Sequence, residues 1–340
     1  MVFMQVFWKG VRVMKEKVGK VEKPVKKGKG LKIALIVVVL IIIGIAAFFV
    51  LGPLLNKTSN AVLIVNQGRV QVDSGNGWLD AESGMTVYQG TKVKTLEGAK
   101  ASLVLFGSSV VRLGEATEVS LDSIVEEAGS VSVSIEQATG KTWSQVLQLS
   151  GIKEFEIQTP TTVATVRGTN FGVLLAEGNE TSVVVDNGTV NVDSFELTEG
   201  QRRIIASLLL AAGEGVTVNP SALAELTAKP LSELGAETSA WIQENQAMDE
   251  AFIQEKQQKI KGNIAAYIGI AKTRGITDEQ IDAALTAYLK GEIDVGAEAE
   301  AKGLSGEEAE TTVRKFLNGE LDPVTVAQKY DELSKILSKK

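Results

Sequence analysis

Residues Thr159–Phe171 read TPTTVATVRGTNF, with one arginine and one glycine inside a run of strand-forming residues. If the run continued unbroken from Val163 to Ala176, it would be a strand of about 46 Å at ~3.3 Å per residue, longer than most. Alternation would then place Arg167 on the same face as Val163, Phe171, Val173 and Leu175, burying a guanidinium among apolar side chains. A one-residue break at Gly168 sorts the faces differently. Ala164 and Val166 join Phe171, Val173 and Leu175 on the inside, and Arg167 turns to the rim, where its five donors can serve carbonyls or a carboxylate. The expectation is therefore a bend at Gly168 and a structural Arg167. The functional alternative is an anion- or glycan-binding arginine. Pro160 lacks a strand donor and biases Thr159 toward an extended form, so it marks the corner before the strand.

The same texture extends in both directions. From Ala61 to Val218, short alternating β-branched runs such as AVLIV, RVQV, ASLVLF, SVSVSI and SVVVD are separated by glycine-rich turns. This pattern predicts an all-β domain of short stacked strands, solenoid- or sandwich-like. LIVNQGRVQVDS (63–74) resembles VVVDNGTVNVDS (183–194), each reading as strand, tight turn, strand. Asn187-Gly188 supplies residues that tolerate positive φ, so both segments are expected to be hairpins. Trp78 and Trp143 read as core or edge aromatics more readily than as ligand platforms.

After the linker 219–235 the period becomes helical through 236–340. Trp241, Met248, Phe252, Ile260, Ile264, Tyr267 and Ala271 predict one apolar face on a long helix. Segments 276–294 and 304–322 then repeat at an offset of 28, with caps at Thr277 and Ser305 and stops at Gly291 and Gly319. The intervening VGAEAEAKG is small and acidic and is expected to be mobile. A last helix is expected from Val324 to Leu337.

The N-terminal part differs in kind. Residues 1–32 carry ten Lys/Arg against two Glu, a net charge of +8. The whole chain is −7, which leaves −15 for residues 33–340. Between the two lies IALIVVVLIIIGIAAFFVL, residues 33–51, of which only Gly44 is not apolar. A helix of that length spans a bilayer core with every backbone group bonded internally. A cleaved signal peptide is the alternative, but the run is long and ends in LGPLLNK, with no small-residue cleavage pattern. The expected organisation is a basic cytoplasmic tail (1–32), a transmembrane helix (33–55), a linker (56–60) and an extracytoplasmic remainder, oriented by the positive-inside rule. The lipid membrane is the first expected partner. A basic patch confined to the tail gives no reason to expect nucleic acid.

The chain has no cysteine and no histidine. That removes disulfides, thiol chemistry, most zinc sites and the usual base of a nucleophile–base pair. No cofactor, metal or catalytic residue is assigned. Asn56, Asn179 and Asn187 begin N-x-S/T sequons and are the candidate glycosylation positions.

Residues 61–206 resemble the FecR domain, named for regulators of ferric-citrate uptake. AVLIVNQGRVQV opens the resemblance, and GMTVYQGTKVKTLEGAKASLVLFGSSVVRLGE carries the middle. Its most distinctive part is KTWSQVLQLSGIKEFEIQTPTTVATVRGTNFGV, with Trp143, Thr159, Pro160, Val166, Arg167, Gly168, Thr169 and Phe171 at the motif positions. SVVVDNGTVNV and LTEGQ close it. The resemblance implies an all-β domain held outside the cytoplasm behind one membrane helix. In familiar members a cytoplasmic domain binds a sigma factor and a C-terminal module receives a signal. Here the tail before the apolar run is too short for that first domain, and the C-terminal part reads as helices. The expectation is thus a membrane-anchored, non-enzymatic binding or scaffold module of the cell envelope. Its expected partners are a protein met through the C-terminal helices and a glycan or envelope polymer. A signalling protein sensing an extracytoplasmic cue is the alternative, and an envelope hydrolase using carboxylates is a more distant one.

Overall fold

The computed structural model describes residues 61–127, 130–272 and 275–321. The basic tail, the apolar run, Asn56 and the helix expected from Val324 lie outside the described residues. Among the described residues no helix is long and apolar enough to cross a membrane.

In chain order the strands are β1 (Ala61–Gln67), β2 (Val70–Asp73), β3 (Leu79–Asp80), β4 (Met85–Val87), β5 (Lys92–Thr95), β6 (Lys100–Leu105), β7 (Ser109–Leu113), β8 (Glu118–Glu127) and β9 (Ser130–Gln145). They continue as β10 (Ile152–Gln158), β11 (Thr162–Val166), β12 (Asn170–Leu175), β13 (Thr181–Asn187), β14 (Thr189–Thr198), β15 (Gln201–Ala211), β16 (Glu214–Val218) and β17 (Lys229–Pro230). They form two sheets. The first has the order β4-β1-β6-β7-β9-β12-β13-β16-β17. The second has the order β3-β2-β5-β8-β9-β10-β11-β14-β15. Every pairing is antiparallel except β9 with β10. The inward side chains of both sheets form one hydrophobic core, in which Phe155 of β10 meets Phe171 of β12 edge to face at 6.1 Å. The β-rich expectation is met by two sheets sharing one core.

The two resembling segments turn out differently from the expected hairpins. β1 and β13 lie in the first sheet, β2 and β14 in the second, and neither β1–β2 nor β13–β14 is a hydrogen-bonded pair. Each segment is a corner that carries the chain from one sheet to the other. A hairpin turn and such a corner both need a residue at positive φ, so the strand–glycine–strand signature does not separate them. Gly68 (φ +69°) and Gly188 (φ +86°) make these corners. β9 does the same within one strand. Residues 130–139 pair in the second sheet and residues 140–145 in the first, hinged at Gly140 (φ +81°).

The chain also changes sheet at Gly168. β11 belongs to the second sheet and β12 to the first, and Gly168 has φ +66° between them. Ala164, Val166, Phe171, Val173 and Leu175 are all buried, and Arg167 is exposed. The break is larger than a one-residue bulge, because it transfers the chain between sheets.

The helices are α1 (Ala236–Asn263), α2 (Ala265–Lys272), α3 (Asp278–Leu289), α4 (Val295–Glu300) and α5 (Gly306–Leu317). Thr277 and Gln280 form a capping box on α3, and the Ser305 side chain caps α5. VGAEAEAKG, expected to be mobile, instead supplies α4, with Val295, Gly296 and Ala299 buried. Its small residues allow close packing: a Cβ on Gly306 would lie 3.0 Å from the Gly296 carbonyl. The buried stripe of α1 also differs from the expected one. It comprises Ile242, Asn245, Asp249, Ile253, Lys256 and Ile260, while Met248 lies at the surface. Half of that stripe is polar, so an apolar count along α1 selects a neighbouring face.

Candidate functional site

The helices are docked on the outer face of the first sheet, and this seam contains the chemically distinctive groups. Trp143, in β9, is directed outward from the first sheet and is 1% exposed beneath α1. It packs with Val184 of β13 and Ile242 of α1 and stacks edge to face on Trp241 at 5.3 Å. Gly172 makes room for this pair, since a Cβ there would lie 2.5 Å from the Trp241 ring and 2.9 Å from Trp143.

Asp249 lies at the centre of the seam. Its Oδ2 accepts the Trp143 indole N–H at 2.9 Å, and its Oδ1 accepts from Arg112 Nη1 at 2.5 Å. Gln145 Nε2 donates to the Asp249 carbonyl at 3.3 Å. Burial pushes the Asp249 carboxyl up to about 6, against the opposing pull of Arg112 and of the Trp143 hydrogen bond. Gln246 donates to Asp186 of β13 at 2.6 Å and Lys100 pairs with Glu244 at 2.5 Å, so the first half of α1 is bound to the first sheet. Sequence reasoning missed Asp249 and Arg112. The available signal was a buried tryptophan, whose N–H requires an acceptor.

Arg167 and Gly168 of the FecR motif lie at one end of this seam, whereas Trp143 lies beneath α1. The turn after β9 inserts Leu147 and Leu149 into the helical cluster of Ile253, Ile281, Leu285, Tyr288 and Phe316. Arg167 Nη2 donates to Glu310 of α5 at 2.7 Å, and Lys153 pairs with the same carboxylate. Burial, and after it the neighbouring Arg167, draws the Lys153 ammonium below its usual value. A cavity of about 30 Å³ lies among Gln148, Lys153, Arg167, Glu310 and Arg314, enough for a water-sized occupant. Thr169 Oγ1 donates to the Thr189 carbonyl at 3.0 Å, and Thr159 and Thr181 hydroxyls share a bond of 2.9 Å. Pro160 is exposed, whereas Val166 and Phe171 are in the core. The sequon residue Asn179 is exposed at φ +64°, while Asn187 Nδ2 reaches the Lys290 carbonyl at 3.4 Å.

At the other end the seam opens into a groove of about 480 Å³. β6, β7 and the start of the β9 first-sheet segment form one wall, and α1 forms the other. Lys100, Arg112 and Lys141 supply cations, Glu115 and Glu244 carboxylates, and Asn66, Gln67 and Asn245 amides. Leu113, Trp241 and Met248 are the large apolar contributors. Among the described residues, no group of three or more His, Cys, Asp or Glu is arranged to hold a metal ion.

Residues 91–191 match the model of the FecR protein family, and this part of the chain is a FecR-like domain. No curated protein matches the chain in sequence. Two crystal structures are similar, each described as a candidate anti-sigma factor from Parabacteroides distasonis ATCC 8503. They share 22% and 24% identity, cover 45% of this chain, and each aligns at a TM-score of 0.34. The aligned part spans 64% of those chains, and a likeness at this level carries no argument about function.

Proposed function

We propose that this chain is a single-pass membrane protein that presents a FecR-like domain outside the cytoplasm as a non-enzymatic binding and scaffold module of the cell envelope. The observation that carries this reading is the seam. Through Trp143, Asp249 and Arg112 the helices and the first sheet are joined as one body, and the same packing leaves a polar groove open beside them. A preformed concave site on a rigid support is what a binding module requires. The basic tail and the apolar run of residues 33–51 support the anchor and its orientation. A protein partner meets the outer surface of the docked helices.

Because the chain has no cysteine, topology can be tested with single replacements. Ser221→Cys places a thiol at an exposed position of the linker. A membrane-impermeant maleimide should label it in intact cells, and Lys20→Cys only after lysis. The reverse pattern would overturn the topology. Crosslinking of the intact protein in membranes should recover envelope components. Recovery of only a cytoplasmic regulator bound to residues 1–32 would overturn the scaffold reading in favour of signalling.

A further inference from the structure

We infer that the groove between the first sheet and α1 is a binding site for a short acidic saccharide, with Lys141 as the group that recognises the acid. This rests on the binding-module reading and specifies its ligand. Three of the five charged lining residues are held in ion pairs. Lys100 is paired with Glu244, and Arg112 with Asp249. Glu115 accepts from the Gly98 backbone N–H at 3.1 Å. Lys141 is different: it is half-buried and lines the groove, and among the described residues it has no ion-pair partner. Its position is also built. Its stem lies against Gly114, where a Cβ would come within 2.6 Å of Lys141 Cγ. A side chain at 114 would displace the stem, so the glycine leaves the lysine room to lie along this wall.

The remaining lining selects the ligand class. Drug-sized apolar ligands favour mainly hydrophobic pockets, and this groove is not one. The Gln67 amide, the Glu115 carboxylate and the exposed Lys100–Glu244 pair provide donors and acceptors along both walls, while Ser102 is bonded to Asn66 and Asn245 to the Trp241 carbonyl. Sugar hydroxyls both donate and accept, so they match such a mixed wall. Trp241 and Met248 offer the apolar surface that C–H faces of a sugar ring require. The volume of about 480 Å³ accommodates a short oligomer and lies within the usual range for bound small molecules. Lys141, the lining cation with no ion-pair partner among the described residues, matches a carboxylate on the ligand, as a uronic acid provides, and the Glu115 carboxylate matches a sugar hydroxyl.

The test uses the full chain in detergent micelles, titrated with tetragalacturonate, with cellotetraose as the neutral control and tetraglutamate as the peptide control. Tryptophan fluorescence and calorimetry report binding. Tetragalacturonate should bind at least ~10-fold more tightly than either control, the advantage expected of one charge-assisted hydrogen bond. K141Q should lose that advantage while unfolding at the wild-type midpoint, and G114A should weaken binding by displacing the lysine stem. Equal binding of cellotetraose would overturn the role of Lys141. Equal binding of tetraglutamate, or no saccharide binding at all, would overturn the saccharide assignment. Any of these would leave the topology and crosslinking results of the binding-module reading standing on their own.

Discussion

The indole nitrogen of Trp143 and the carboxylate of Asp249 are 106 residues apart in sequence and 2.9 Å apart in space, and their bond joins the first sheet to α1. Asp249 also holds Arg112, so removing its carboxylate leaves a guanidinium and an indole N–H without an acceptor in a buried seam. D249A should destabilise the fold by about 3–5 kcal/mol, the usual cost of breaking a buried pair from one side. Urea unfolding measures it. A loss below ~1 kcal/mol would mean that the seam does not depend on this residue.

The same carboxyl makes stability pH-dependent. Its value in the fold, about 6, lies above the unbound 3.8, chiefly because burial disfavours the charge. The protonated form therefore favours folding. That contribution is complete below about pH 4 and is lost as pH rises through about 6. D249N keeps the shape without the titration. Urea midpoints at several pH values should show wild type losing ground to D249N between pH 4 and 6. A gain instead would show that the Arg112 pair outweighs burial.

The sheet-changing glycines should differ in their tolerance of a side chain. At Gly168 an added Cβ meets only Gln148 Cγ, at 3.8 Å, so G168A carries the left-handed backbone cost of about 1–2 kcal/mol alone. At Gly140 the Cβ would also meet the Thr117 hydroxyl, and the Thr117 Cα at 2.6 Å. G140A should cost clearly more than G168A in thermal or urea unfolding. Equal losses would contradict the corner at Gly140.

Gly172 tests the docking itself. G172A should push Trp241 away from the first sheet, given the 2.5 Å approach to its ring. Tryptophan emission should shift to the red, and limited proteolysis should reach 219–240 while β1 to β16 stay protected. Unchanged emission would show that Trp241 does not occupy that place in solution.

R167A bears on the motif. The Arg167 side chain is 56% exposed, and its partner Glu310 is shared with Lys153. A half-exposed pair contributes ~1 kcal/mol or less. R167A should therefore fold with nearly wild-type stability, and a loss above ~2 kcal/mol would assign Arg167 a deeper structural role.

These residues also show what could be read from the sequence. Parity around Gly168 located a break and an outward arginine, because burying an unpaired guanidinium is costly at any fold. Helix caps at Thr277 and Ser305 were legible because they are local. Two things were hidden. Strand–glycine–strand describes a hairpin and a corner equally, so sheet membership was invisible at Gly68 and Gly188. The stripe of α1 was concealed because Asn245 and Asp249 are buried for their hydrogen bonds, which a hydrophobic pattern does not register. The groove sets β6 and β7 against α1, more than a hundred residues further along the chain, and only tertiary packing brings them together.

The order of strands within the sheets has a further consequence for how the molecule is made. From β5 onward, both sheets add strands in the order in which the chain supplies them, ending at β17 in one and β15 in the other. A chain emerging N-terminus first can therefore zip up rung by rung onto a template that already exists, without waiting for a distant segment. The seam must then close last, because Asp249 follows every strand it fastens. Such a molecule would be half-built and already ordered during its own synthesis, with the helices acting as the latch.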